Sequence, residues 1–149
     1  MKTLIVYDSV HGHTNEIAQA IGQALPGEVT VVHASEATAP ISGEIDLLVA
    51  GAPTHGAKPS EPMQAFLDKI QAPALESVRV AGFDTRMTNR LITLFGTAAP
   101  KIAKALEKKG GTLAGPPGGF LVTGGEGPLK EGELARAAAW AQGLVGSEG

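Results

Sequence analysis

The sequence contains no cysteine. Disulfides, thiolate nucleophiles and cysteine-held metals are therefore excluded, and the cytoplasm is the expected location. Charge of one sign is also lacking: 12 Lys and Arg stand against 15 Asp and Glu, a net charge of -3. So mild an imbalance argues against nucleic acid or an anionic membrane as a partner. No apolar run reaches membrane-spanning length, and Met1-Lys2 leads straight into a short strand without a signal-peptide pattern. Aromatic residues are few, with one Trp and one Tyr.

What is present is the composition of a folded domain. The 149 residues are 43% hydrophobic and 18% charged, enough for one domain over residues 1–149 with a sizeable core. The 20 glycines and 10 prolines cluster at loops, as expected for tight turns on a rigid scaffold.

Apolar, β-favouring runs alternate with helical periodicity along the chain. Strands are expected at Leu4 to Tyr7, Glu28 to His33, Asp46 to Gly51 and Ser77 to Phe83, with a broken strand at Thr112 to Ala114 and Gly119 to Thr123. The third run has no polar alternation, as in a strand buried on both faces of a parallel sheet. Helices are expected from about Thr14, with Ile17, Ile21 and Leu25 on one face, and after Ser60, with Met63, Phe66, Leu67 and Ile70 inward. Two more are expected at Ala98 to Lys109 and Glu131 to Val145, the last with Leu134, Ala138, Ala141 and Val145 inward. Alternation of this kind implies an α/β fold with a parallel sheet and right-handed crossovers.

In an open parallel sheet, ligands bind outside the carboxyl ends of the strands. The first such end is the most informative. Ser9-Val10-His11-Gly12-His13-Thr14 lies between a strand and a helix start, so two hydroxyls and the unpaired first-turn amides meet at one point. That combination attracts an anion, because the helix dipole favours negative charge there. The lysine-bearing triphosphate loop G-x-x-x-x-G-K-[ST] is absent, and no G-x-G-x-x-G follows the first strand. A mononucleotide phosphate is the ligand this loop favours. Ser9 lacks the G-x-S-x-G elbow of a serine hydrolase, and His11, His13, His33 and His55 have no carboxylate or cysteine at metal-site spacing. Neither a catalytic residue nor a metal ligand is assigned.

At this loop the chain resembles the flavodoxin family. The family's phosphate loop has its apolar and aromatic strand end at Ile5, Val6 and Tyr7, its hydroxyl at Ser9, its glycine at Gly12, its threonine at Thr14 and its alanine at Ala18. Gly51 to Gly56 resembles the flavin-ring loop of flavodoxins and related quinone reductases. Phe83 to Arg86 and Glu126 to Leu129 resemble segments of short flavodoxin-like proteins. The resemblance implies a three-layer sandwich around a five-stranded parallel sheet of order 2-1-3-4-5, with FMN as cofactor. Ser9, Val10, His11, Gly12, His13, Thr14 and Asn15 would then surround the phosphate. Pro53, Thr54, His55 and Gly56 would lie along one side of the ring, and Asp84, Thr85, Arg86 and Met87 along the other.

The resemblance further implies that Arg86 stabilises negative charge near N1 of the reduced ring. From the residues alone, Asp84 and Arg86 read equally well as a loop-ordering ion pair. The implied function is electron transfer to an unidentified redox protein or small-molecule acceptor. The alternatives are an FMN-dependent NAD(P)H quinone reductase and a flavin-free binding or regulatory module. One departure stands out. Flavodoxins usually sandwich the ring between aromatic side chains, whereas here the ring loops supply only His55.

Overall fold

A computed structural model describes residues 1–10, 12–38, 44–55, 58–87, 97–123 and 128–146. Strands β1 (Lys2–Tyr7), β2 (Glu28–His33), β3 (Leu47–His55) and β5 (Arg79–Arg86) run parallel in the order β2-β1-β3-β5. The next sheet position is shared by two short strands, β6 (Thr112–Leu113) and β7 (Gly118–Leu121), both parallel to β5. They are one strand interrupted at Gly115-Pro116-Pro117, where two successive residues have no N–H for a ladder. A seventh strand, β4 (Lys58–Pro59), folds back antiparallel on the end of β3. The parallel positions thus follow the expected order 2-1-3-4-5, with one break and one added hairpin.

Alternate strand residues feed two cores, as a period of two requires. On one face Val6, Leu48, Ala50 and Val80 pack with Met63, Phe66 and Leu67 of α2 (Glu61–Lys69) and with Ile102 and Leu106 of α3 (Ala98–Lys108). On the other, Ile5, Val49, Ala81 and Phe83 meet Ile17 and Ile21 of α1 (His13–Ala24) and Ala137, Ala141 and Leu144 of α4 (Glu133–Gly146). This is the three-layer α/β sandwich expected from the sequence. Gly51 has no room for a side chain, since a Cβ there would run into the Phe83 ring.

Two strand ends and one helix face differ from expectation. Strand β3 continues to His55 and β5 to Arg86, so Pro53, Thr54, Asp84, Thr85 and Arg86 belong to strands rather than to the loops after them. The cause is tertiary pairing: Ala52 stands opposite Asp84 and Pro53 opposite Thr85, which carries both ladders past their apolar runs. In α4 the inward face is Ala137, Ala141 and Leu144, while Leu134 is 46% exposed. The helix is turned because Glu133, not Leu134, points back at the sheet, accepting the Leu121 N–H at 2.7 Å.

Candidate functional site

The carboxyl ends of β1, β3 and β5 come together as the topology demands. Helix α1 begins at His13 with Gly12 as its N-cap. Gly12 has φ 89°, a left-handed conformation that glycine adopts without penalty, and a Cβ there would meet nothing within 4 Å. A glycine cap has no side chain, so nothing from the cap itself covers the helix end. The first intrahelical bond runs from the Glu16 N–H to the Gly12 carbonyl, leaving the Thr14 and Asn15 amides ahead of the helical ladder. In the loop before this helix, the Ser9 hydroxyl is buried and has no hydrogen-bond partner among the described residues. An orphaned buried hydroxyl is costly and calls for an explanation.

The other hydroxyl of the loop is engaged. Thr14 is buried, and its Oγ1 lies 2.8 Å from Oγ1 of Thr85 on β5. The phosphate-loop and ring-side segments expected from the sequence are therefore joined directly. Asn15 accepts a hydrogen bond from Gln19 Nε2 at 3.2 Å, and His13 Nδ1 lies 3.4 Å from Glu16 Oε1. Val10 is exposed, as is Met87 at the far end of β5. His11 and Gly56 lie outside the described residues, and of His55 only its place at the end of β3 is described.

The start of α3 contrasts with that of α1. The Ala98 N–H donates to Thr54 Oγ1 at 3.0 Å, and the Ala99 N–H donates to Asp84 Oδ2 at 2.7 Å. Two strand-end side chains thus serve as caps for a helix distant in sequence. Asp84 is fully buried, and its carboxylate also accepts Arg86 Nε at 2.7 Å and Arg86 Nη2 at 3.0 Å. That two-point pairing is the strong geometry for a guanidinium and a carboxylate. It is possible because residue 119 is glycine: a Cβ there would collide with the Arg86 guanidinium, which lies over the β7 backbone. Arg86 and Asp84 are thus an ion pair, and Thr54 is engaged with α3.

Sequence reasoning missed several residues here. Asp8 Oδ1 accepts a hydrogen bond from His33 Nε2 at 2.9 Å, the ring being oriented by the Ser35 N–H, which donates to Nδ1 at 3.1 Å. The signal was available, because a parallel β1–β2 register that places Tyr7 opposite His33 puts Asp8 and His33 at adjacent strand ends. A cleft of about 710 Å³ opens beside Asp8 and Val10, bordered by Lys58, Ser60 and Pro62. Ser60 is the N-cap of α2 as expected, yet its buried hydroxyl makes no cap bond. Among the described residues, Tyr7 at the end of β1 lies edge-on to the His33 ring at 5.4 Å, whereas Phe83, Phe120 and Trp140 form a mutual edge-to-face cluster with centroids 6.0–6.3 Å apart, in the core under α1 and α4.

Comparison with known proteins places the fold. The sequence model of the flavodoxin domain matches residues 4–126, from the first strand to the loop before α4. The chain belongs to the flavodoxin family. This flavodoxin is similar in fold to a flavodoxin from the domain Archaea, with TM-score 0.78 and 21% identity over 99% of this chain and 98% of the other. A short-chain flavodoxin associated with a non-canonical PDU bacterial microcompartment has TM-score 0.79 and 19% identity, covering 100% and 99% of the two chains. Flavodoxin 1 from Bacillus cereus has TM-score 0.79 and 17% identity, covering 98% of each. Comparison with curated protein sequences gives no significant match.

Proposed function

We propose that this flavodoxin binds FMN and serves as an electron carrier in the cytoplasm, delivering to a redox protein or a small-molecule acceptor. The observation that carries the reading is the contrast between two helix starts. Side chains from β3 and β5 occupy the first amides of α3, whereas α1 opens at Gly12, three residues after a buried Ser9 hydroxyl that has no hydrogen-bond partner among the described residues. A phosphate monoester would accept from the Ser9 hydroxyl and the α1 amides, and its charge matches the helix dipole. The residues present therefore fit the phosphate end of FMN.

When bound, FMN would supply one- and two-electron chemistry, and the protein's part is to hold and tune it. Ser9, Gly12 and Thr14 would fix the phosphate. The end of β3 at Pro53 to His55, and the end of β5 at Asp84 to Arg86 with Met87 after it, would border the ring. The hydrogen bond between Thr14 and Thr85 makes these two ends one unit, so a phosphate ordered at α1 also orders the β5 terminus.

The test is a titration of the apoprotein against FMN and riboflavin, followed by flavin fluorescence. Quenching by FMN at micromolar protein, with riboflavin bound much more weakly, supports the reading. Absence of quenching overturns it, and equal affinity for the two overturns the phosphate assignment. Steady turnover of NAD(P)H with a quinone would replace the carrier reading by that of a reductase.

A further inference from the structure

Among the described residues, the charge at the end of β5 is an internal ion pair, Asp84 with Arg86. Asp84 is fully buried at the site end of β5, and all its bonds point into the protein. One oxygen accepts the Ala99 amide of α3 and Arg86 Nη2, and the other accepts Arg86 Nε. Arg86 is three-quarters buried, held by this carboxylate on one side and lying on the Gly119 backbone on the other. A guanidinium held in this way presents a compensated charge to whatever lies at the strand end.

We propose that Asp84 is the positioning residue of the redox site: it holds Arg86 folded against β7, and by neutralising it keeps the reduction potential of the bound cofactor low. The proposal rests on the FMN reading. Reduction of FMN adds electrons to the ring, and the reduced form carries negative charge at neutral pH. An uncompensated positive charge at the strand end favours that form, and an uncompensated negative charge opposes it. Because Asp84 and Arg86 are two residues apart on one strand and point to the same face, removing either one exposes the opposite charge of its partner.

A cycle of two substitutions tests this. Asp84→Asn keeps a side-chain oxygen for the Ala99 amide, so α3 stays capped while Arg86 loses its counter-charge. Its expected result is a higher potential, read as reduced FMN binding about tenfold more tightly relative to oxidised FMN than in the unsubstituted protein. Arg86→Gln, which leaves the Asp84 carboxylate alone, is expected to shift that ratio the other way. The double substitution Asp84→Asn with Arg86→Gln returns it close to the starting value. Shifts of opposite sign that cancel in the double variant are not the outcome of general loosening, which moves all three variants in one direction. If Arg86→Gln does not fold, Asp84→Asn and the double variant still decide the matter, since both must fold and only the first may shift.

Amide exchange at Ala99 in the apoprotein gives a readout free of cofactor. Protection is expected to survive in Asp84→Asn and to be lost in Asp84→Ala, and unchanged protection in Asp84→Ala overturns the clamp. FMN binding to the unsubstituted protein with unshifted potentials in the variants overturns this inference alone. Failure of the unsubstituted protein to bind FMN overturns the FMN reading and this inference with it.

Discussion

The Thr14 and Thr85 hydroxyl oxygens lie 2.8 Å apart, both buried, joining the first turn of α1 to the last turn-ward residues of β5 across 71 positions of sequence. Replacing either by valine leaves the other hydroxyl without its partner, at a cost of about 1–2 kcal/mol. Replacing both removes the need for the bond, so the double variant is expected to be more stable than the sum of the singles predicts, with a coupling of about 1 kcal/mol. Urea unfolding of the three variants measures it, and simple additivity would show that the two hydroxyls act independently.

Ser9 is expected to separate stability from binding. Its hydroxyl is buried without a partner among the described residues, so Ser9→Ala is expected to leave apoprotein stability unchanged or slightly raised. The same substitution is expected to weaken FMN about tenfold while sparing riboflavin, because in the proposed binding mode only the phosphate would reach that hydroxyl. Thermal unfolding beside flavin titration distinguishes this from a merely structural serine, which would lose stability and bind FMN normally.

Stability is expected to fall in acid through Glu133. Arg136, bonded to it at 2.6 and 2.9 Å, holds its carboxyl below the ordinary value of 4.5 against the opposing effect of burial, helped by the Leu121 N–H. A carboxylate whose pKa is depressed by folding stabilises the native state above the unfolded value. The contribution is thus complete above about pH 4.5 and is lost as pH falls through the lower folded value. Half of the Arg136 side chain is exposed, so solvent screens the pair and the effect is modest. Glu133→Gln should lower stability at pH 7 by about 1 kcal/mol and flatten the acid limb of the stability–pH curve.

Two glycines should respond oppositely to alanine. Gly51→Ala drives a methyl into the Phe83 ring, which is fully buried and packed on Phe120 and Trp140, and should cost about 3 kcal/mol. Gly143 is inside α4 with open space around its missing Cβ, so Gly143→Ala should stabilise by about 0.5–1 kcal/mol. Differential scanning calorimetry reads both changes. A neutral Gly51→Ala would mean that the core under α1 and α4 yields more readily than its packing implies.

Much of this was legible in the chain itself. The strand–loop–helix at Thr3 to Leu25 announces both the first strand of the sheet and the glycine-capped start of α1, since apolar runs and turn glycines are local signals. Strand ends were less legible. The polar residues Thr54, Asp84, Thr85 and Arg86 read as loop, and only pairing with neighbours remote in sequence turns them into strand. The partners of Asp84 and Thr54 are backbone amides of α3, and an amide leaves no mark on a sequence. The inward face of α4 is hidden from an apolar periodicity because its anchor is a charged residue, Glu133.

The interruption of the fifth sheet position has a further consequence. A sheet edge with continuous N–H and C=O groups is a template on which another chain can add a strand. Here that border is cut into pieces of two and four residues, and the two prolines between them have no N–H to offer. The Pro116 carbonyl is already taken by the Trp140 indole N–H at 2.9 Å. An incoming strand would find no run of backbone long enough to pair with, so this border of the sheet resists edge-to-edge aggregation.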